Sequence, residues 1–175
     1  MVNVILVNDQ DEPTGLMEKL EAHRQGLLHR AFSVFVFNNQ QQLLLQRRAK
    51  SKYHSGGLWT NTCCSHPLDG ETVEEAAERR LVEEMGFTCD MELQFNFIYR
   101  AELDQGMIEN EFDHVLFGTY NEAPEVNPEE VGEWKYMDIS AISIDLEENP
   151  EAYTAWFKII FDRVIKHLAD NPISV

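Results

Sequence analysis

With 175 residues, 43% of them apolar and 26% charged, the chain is long enough for one substantial core, and no apolar run approaches the ~20 residues that cross a bilayer. The net charge of −17 excludes nucleic acid as the main partner and sets a condition on any anionic ligand, which must be met by locally concentrated cations. Three cysteines, an odd count, and a start without the basic and apolar regions of a signal peptide exclude a disulfide framework and point to the cytoplasm.

In chain order, "VNVILV" reads as a short strand, followed by the polar turn "NDQDEPTG" and a helix over "LMEKLEAH". "HRAFSVFVFN" is β-branched and aromatic, a buried strand whose antiparallel partner is "QLLLQRR". Residues 49–58 form a basic, Gly-containing loop. Thr72 and Glu75 fit a capping box, so a helix starts near Val73, buries Val73, Ala76, Ala77, Leu81 and Met85, and stops at Gly86. "LQFNFIYR", "MIENEFDHVLFGTY" and "EWKYMD" read as strands, with an acidic loop before the last and a short helix over "ISAISIDL" after it. Asn149 is expected to cap the final helix, with Pro150 in its first position and an apolar stripe from Tyr153 to Leu168. Strands and helices without regular βαβ alternation give an α+β domain, a mixed sheet flanked by helices, spanning 1–175.

Several groups carry candidate chemistry. Glu109 and Glu111 occupy positions i and i+2 of a strand and so face one side, roughly 7 Å apart. They form either a solvated strand face or, joined by His23, His29 and His66, a site for a divalent ion such as Mg²⁺, Mn²⁺ or Zn²⁺. His54, His114 and His167 show no comparable partners, and His167 reads as a surface residue complementing a helix C-terminus. Cys63 and Cys64 are buried hydrophobes or reactive thiols; His66 two positions on favours function, and local chemistry does not choose between the two sulfurs. Cys89 reads as packing. Arg48, Lys52 and Arg80 suit a phosphate, against the alternative of a salt-bridged helix face. Tyr99, with Leu93, Phe95 and Phe97 as face-mates, and Trp156 are core residues or pocket walls whose rings stabilise a cation.

The set "TGLMEKLEAH", "LHRAFSVFVFN", "RRAKSK", "WTNTCCSHP", "GETVEEAAERRLVEEMG", "YRAEL" and "ENEF", with a weaker match at "YTAWF", resembles the type I isopentenyl diphosphate isomerases, which have a Nudix-like α/β fold. Set against the Nudix pattern G-x5-E-x7-R-E-U-x-E-E-x-G-U, the register here is Ser65, Glu71, Arg79, Arg80, Leu81, Glu83, Glu84, Gly86 and Phe87. Arg80 stands where a Nudix hydrolase carries a metal-binding carboxylate, and a guanidinium neither coordinates a cation nor acts as a base. The resemblance implies Cys64, Glu111 and Tyr99 as the catalytic set and a metal on His23, His29, His66, Glu109 and Glu111. It also implies a Mg²⁺ on the substrate diphosphate held by Glu84 and the Cys64 backbone, diphosphate contacts from Lys19, Arg48, Lys52 and Arg80, and Trp156 facing the hydrocarbon. The implied substrates are small isoprenoid diphosphates, turned over by a monomer or weak homodimer without nucleic acid or membrane. The alternatives are a divergent Nudix diphosphate hydrolase and a non-catalytic metal-binding module.

Overall fold

A computed structural model describes residues 2–52 and 54–172. The centre is β3 (His29–Phe37), which runs parallel to β8 (Ile108–Thr119) along its whole length, from His29↔Glu111 to Phe37↔Thr119. Next to β8 lies the antiparallel β7 (Met91–Glu102). On the other side β4 (Gln42–Arg48) meets β3 at Phe37↔Leu43 alone and then diverges to pair with β9 (Val131–Asp138). The gap between β3 and β4 is filled by β5 (Trp59–Thr60), paired to β4, and β6 (Cys63–Ser65), paired to β3. An N-terminal hairpin of β1 (Asn3–Val7) and β2 (Pro13–Glu18) joins at Leu6↔His29. The sheet is mixed and helices cover both faces, as expected.

Alternation along the strands sorts two cores. Phe35, Phe37, Leu43 and Leu45 face α4 (Ala155–Asp170), whose Trp156, Phe157, Ile160, Phe161 and Val164 are buried there, with Ile142 of α3 (Ile139–Glu148). Phe32, Val34, Val36 and Leu44 face α2 (Val73–Met85), which contributes Ala76, Ala77, Leu81 and Met85. The α2 boundaries follow the sequence signals: Thr72 and Glu75 form the reciprocal capping box, and Gly86 ends the helix at φ 74°.

Three local expectations need correction. Pro13 and Gly15 lie in β2, and the following helix α1 starts only at Lys19 (Lys19–Gln25), because backbone pairing with β1 holds Leu16 and Met17 extended. The final helix begins five residues later than its Asn-Pro signal suggests. Asn149 ends α3, Pro150–Ala152 makes one 3₁₀ turn, and Thr154 is the true cap, accepting from Phe157 N at 3.4 Å. A bulge between Leu93 and Phe95 turns Leu93 out to solvent, leaving only Phe95 and Phe97 on the face of Tyr99. Residues 61 and 62, between β5 and β6, are held by side chains where ladder bonds are missing: Thr62 Oγ1 donates to Leu44 O (2.6 Å) and accepts from Val36 N (2.9 Å), while Asn61 Nδ2 donates to Val34 O and Cys63 O.

Candidate active site

The pleat of β6 gives the two thiols different surroundings. Cys63 is fully buried against α2, whereas Cys64, one residue on, points to the α4 face and lines a cavity. Glu111, Glu109 and Tyr99 line the same cavity, so the sulfur and the carboxylates share one space. Tyr99 and Glu111 are register partners on β7 and β8; the phenol donates to Glu111 Oε2 at 2.6 Å and approaches Glu109 Oε2 at 3.1 Å. Burial and the neighbouring Glu111 charge push the Glu109 carboxyl well above the usual range. Burial pushes Glu111 up too, but the adjacent His29 and His66 imidazoles outweigh it and hold this carboxyl low. Burial also raises the Cys64 thiol; Arg48 opposes this, and the carboxylates of Glu84, Glu109 and Glu111 add to it.

Three imidazoles surround Glu111. Nδ1 of His23 lies 2.7 Å from Lys19 O and Nδ1 of His29 lies 2.8 Å from Leu27 O. A carbonyl only accepts, so each Nδ1 carries the proton and each Nε2 turns a lone pair inward. His66 Nε2 sits 3.2 Å from His29 Nε2 and 3.0 Å from Glu111 Oε1. One ligand atom from each of His23, His29, His66 and Glu111 lies within 4.8 Å of all the others. Inward-facing lone pairs and a carboxylate, all buried, with only His66 able to supply a proton, are satisfied together by a divalent cation. Burial lowers the pKa of His23 and takes His66 down to about 3, which favours the neutral, ligating form. Glu109 stands beside this group but outside it, engaged by Tyr99.

The cavity also carries cations. Lys19, Arg48, Lys52 and Arg80 line it together with Glu84. Lys52 pairs with Glu130, and Arg80 Nη2 reaches Glu84 Oε1 at 2.5 Å. The carboxylate of Glu84 is also pinned by Gln46 Nε2 at 2.8 Å. Nε of Arg48 and Nε of Arg80 are buried without an acceptor, the condition of donors shaped for an anion. Trp156 is 2% exposed and closes one side, with the Arg48 guanidinium 5.2 Å from its ring centroid.

Residues 27–157 match the NUDIX domain family. The chain is 52% identical to the isopentenyl-diphosphate Delta-isomerase of Pectobacterium atrosepticum over 94% of its own length and 92% of the relative's. It is likewise 52% identical to isopentenyl-diphosphate Delta-isomerase 1 of Aromatoleum aromaticum, over 93% and 92% of the two chains. The chain belongs to the isopentenyl-diphosphate Delta-isomerase family. Among solved structures, a protein from Deinococcus radiodurans superposes with a TM-score of 0.78 at 21% identity, covering 92% of this chain and 98% of that one, and so shares the fold.

Within this isomerase family member the three remaining histidines all have partners, and His167 lies in the last turn of α4 as expected. His54 lines the cavity, with its ring 5.7 Å from Trp156. Nothing about an isolated His at the end of a basic loop marks it; the following Ser-Gly-Gly, which permits a tight reversal, is the one available signal. His114 pairs with Asp11 at 3.1 Å, and His167 packs on Phe95 and meets Gln94 Oε1 at 3.1 Å. Among the described residues, no helix is long and apolar enough to cross a membrane.

Proposed function

We propose that this chain, as one domain acting in the cytoplasm as a monomer or weak homodimer, interconverts isopentenyl diphosphate and dimethylallyl diphosphate. The observation that carries this reading is the shared cavity: Cys64 and the Glu111–Tyr99 pair line one space that also holds buried cationic donors without acceptors. An unactivated alkene is a feeble base, so shifting its double bond needs a strong, positioned acid on one side and a proton acceptor on the other. Glu111, through Tyr99, serves the terminal carbon; Cys64 serves the internal carbon. Between the two proton transfers the hydrocarbon carries a tertiary carbocation, which the Trp156 ring stabilises. Running the reaction backward exchanges the donor and the acceptor.

Arg48, Arg80, Lys19 and Lys52 hold the diphosphate, and that binding energy fixes the short tail between sulfur and carboxylate. His23, His29, His66 and Glu111, with Glu109 beside them, would hold a divalent ion (Mn²⁺, Mg²⁺ or Zn²⁺), which would steady the carboxylate and bias its protonation. Glu84 and the Cys64 backbone would hold a Mg²⁺ on the substrate diphosphate. The hydrolytic alternative is disfavoured by Arg80: its guanidinium, bound to Glu84, occupies the place of a metal-binding carboxylate.

Incubation with isopentenyl diphosphate and Mg²⁺ in D₂O tests the reading. Deuterated dimethylallyl diphosphate is expected, and it disappears with Cys64→Ala or Glu111→Gln. Release of inorganic phosphate without isomerised product would give the chain to the hydrolases instead.

A further inference from the structure

His54 has no role in the chemistry described so far, yet it is one of the best-placed side chains in the cavity. It is 6% exposed and lines the same space as Cys64, Glu111 and Trp156. Its ring stands at 85° to the Trp156 indole with centroids 5.7 Å apart, the edge-to-face arrangement that aromatic quadrupoles favour. The turn that follows it is tightly constrained. Ser55 adopts φ 51°, a left-handed conformation that a side chain normally avoids, and a Cβ on Gly56 would fall 2.7 Å from Lys50 O. Nδ1 of His54 meets Ser55 Oγ at 3.3 Å. The His54 carbonyl accepts from Arg48 Nη2 at 3.3 Å, so backbone and side chain of one residue touch both Arg48 and Trp156.

We propose that His54 is a positioning residue that fixes the Trp156 ring against the reacting hydrocarbon without adding a charge beside it. The proposal rests on the isomerase reading, in which Trp156 stabilises the cation. Arg48 already draws on the π density of that indole from 5.2 Å. A second cation in contact with the ring would compete further with a developing carbocation. The imidazole avoids this, because burial and then the charges of Arg48 and Lys19 hold its pKa down at about 3. The anchor on Arg48 is a backbone carbonyl, so replacing the side chain leaves the diphosphate grip in place.

The test compares wild type, His54→Ala and His54→Phe in kcat and in KM for isopentenyl diphosphate. It adds inhibition by a tertiary-ammonium diphosphate, which mimics the cation, and by inorganic diphosphate, which does not. His54→Ala is expected to lower kcat and ammonium-analogue affinity about threefold to tenfold, the worth of one edge-to-face pair, with KM and diphosphate inhibition within about twofold. His54→Phe, which keeps an uncharged ring, restores most of both. If His54→Ala fails to fold by circular dichroism, His54→Leu serves as the non-aromatic variant. An unchanged kcat, an equal loss of both inhibitors, or failure of His54→Phe to rescue overturns the proposal while leaving the isomerase reading intact. A wild-type protein that produces no dimethylallyl diphosphate removes both.

Discussion

Cys63 and Cys64 are chemically identical and one peptide bond apart, yet the pleat of β6 gives them opposite surroundings. One sulfur packs among Phe32, Val34 and Leu81; the other faces the cavity with Glu111 and Trp156. The two alanine variants should therefore fail in different ways. Cys64→Ala is expected to lower kcat by roughly 10²–10⁴-fold, the range for loss of one proton-transfer group, with little change in urea midpoint. Cys63→Ala is expected to keep kcat within a few-fold and to lose roughly 1 kcal/mol of stability to the small void it opens. Paired steady-state kinetics and urea unfolding separate them. The same local view explains Tyr99: its single O–H proton is directed at Glu111 at 2.6 Å, so Tyr99→Phe alters the carboxylate's proton and not the shape of the pocket.

At the scale of elements, α2 shows how much a short stretch specifies. Its cap box, apolar spacing and terminal glycine are all local signals, and each matches the structure. Gly86 has a second constraint, because a Cβ there would lie 2.2 Å from Glu125 O. Gly86→Ala should destabilise by roughly 2–4 kcal/mol, from left-handed strain plus displacement of the acidic loop, read as a lowered thermal midpoint. β6 is the converse case. Its strand character comes from partners far off in sequence, β3 on one side and the Thr62 and Asn61 side chains bridging to neighbouring backbone, so composition alone suggests a turn. Likewise, Asn149-Pro150 is a sound helix-start signal satisfied by a 3₁₀ turn, and packing of Tyr153 beside Phe157 delays the true start to Ala155. The His and Glu positions of the cation group were legible as residue types, but their convergence was not, because it depends on β3 lying parallel to β8 so that His29 and Glu111 are register neighbours. His54 was illegible because its burial depends on Trp156, a residue of the last helix.

For the whole molecule, the cation group ties together α1, β3, the segment after β6, and β8. An ion held there binds the folded chain and not the unfolded one, so removing it costs stability by mass action. Dialysis against a chelator should lower the unfolding midpoint, and Mn²⁺, Mg²⁺ or Zn²⁺ added back should restore it; a midpoint indifferent to both would count against a bound ion. Acid acts through a different group. The His54 pKa falls from 6.5 to about 3 on folding, so below pH 6.5 the unfolded chain binds a proton that the folded chain refuses. Its contribution is constant above that pH and turns against the fold as pH drops towards 3, amounting to roughly 3 kcal/mol at pH 4. His54→Phe, with no such proton to bind, should unfold at lower pH than wild type in an acid titration followed by circular dichroism.

The NUDIX match begins at residue 27, and the hairpin and helix ahead of it could be taken for an ornament on a common fold. They are not, since α1 delivers both Lys19 and His23 to the cavity. Cut away that leader and the imidazole trio becomes a pair while the anion wall loses an amine. The shared scaffold is therefore only part of the site, because an amine and an imidazole of the cavity stand ahead of the family match.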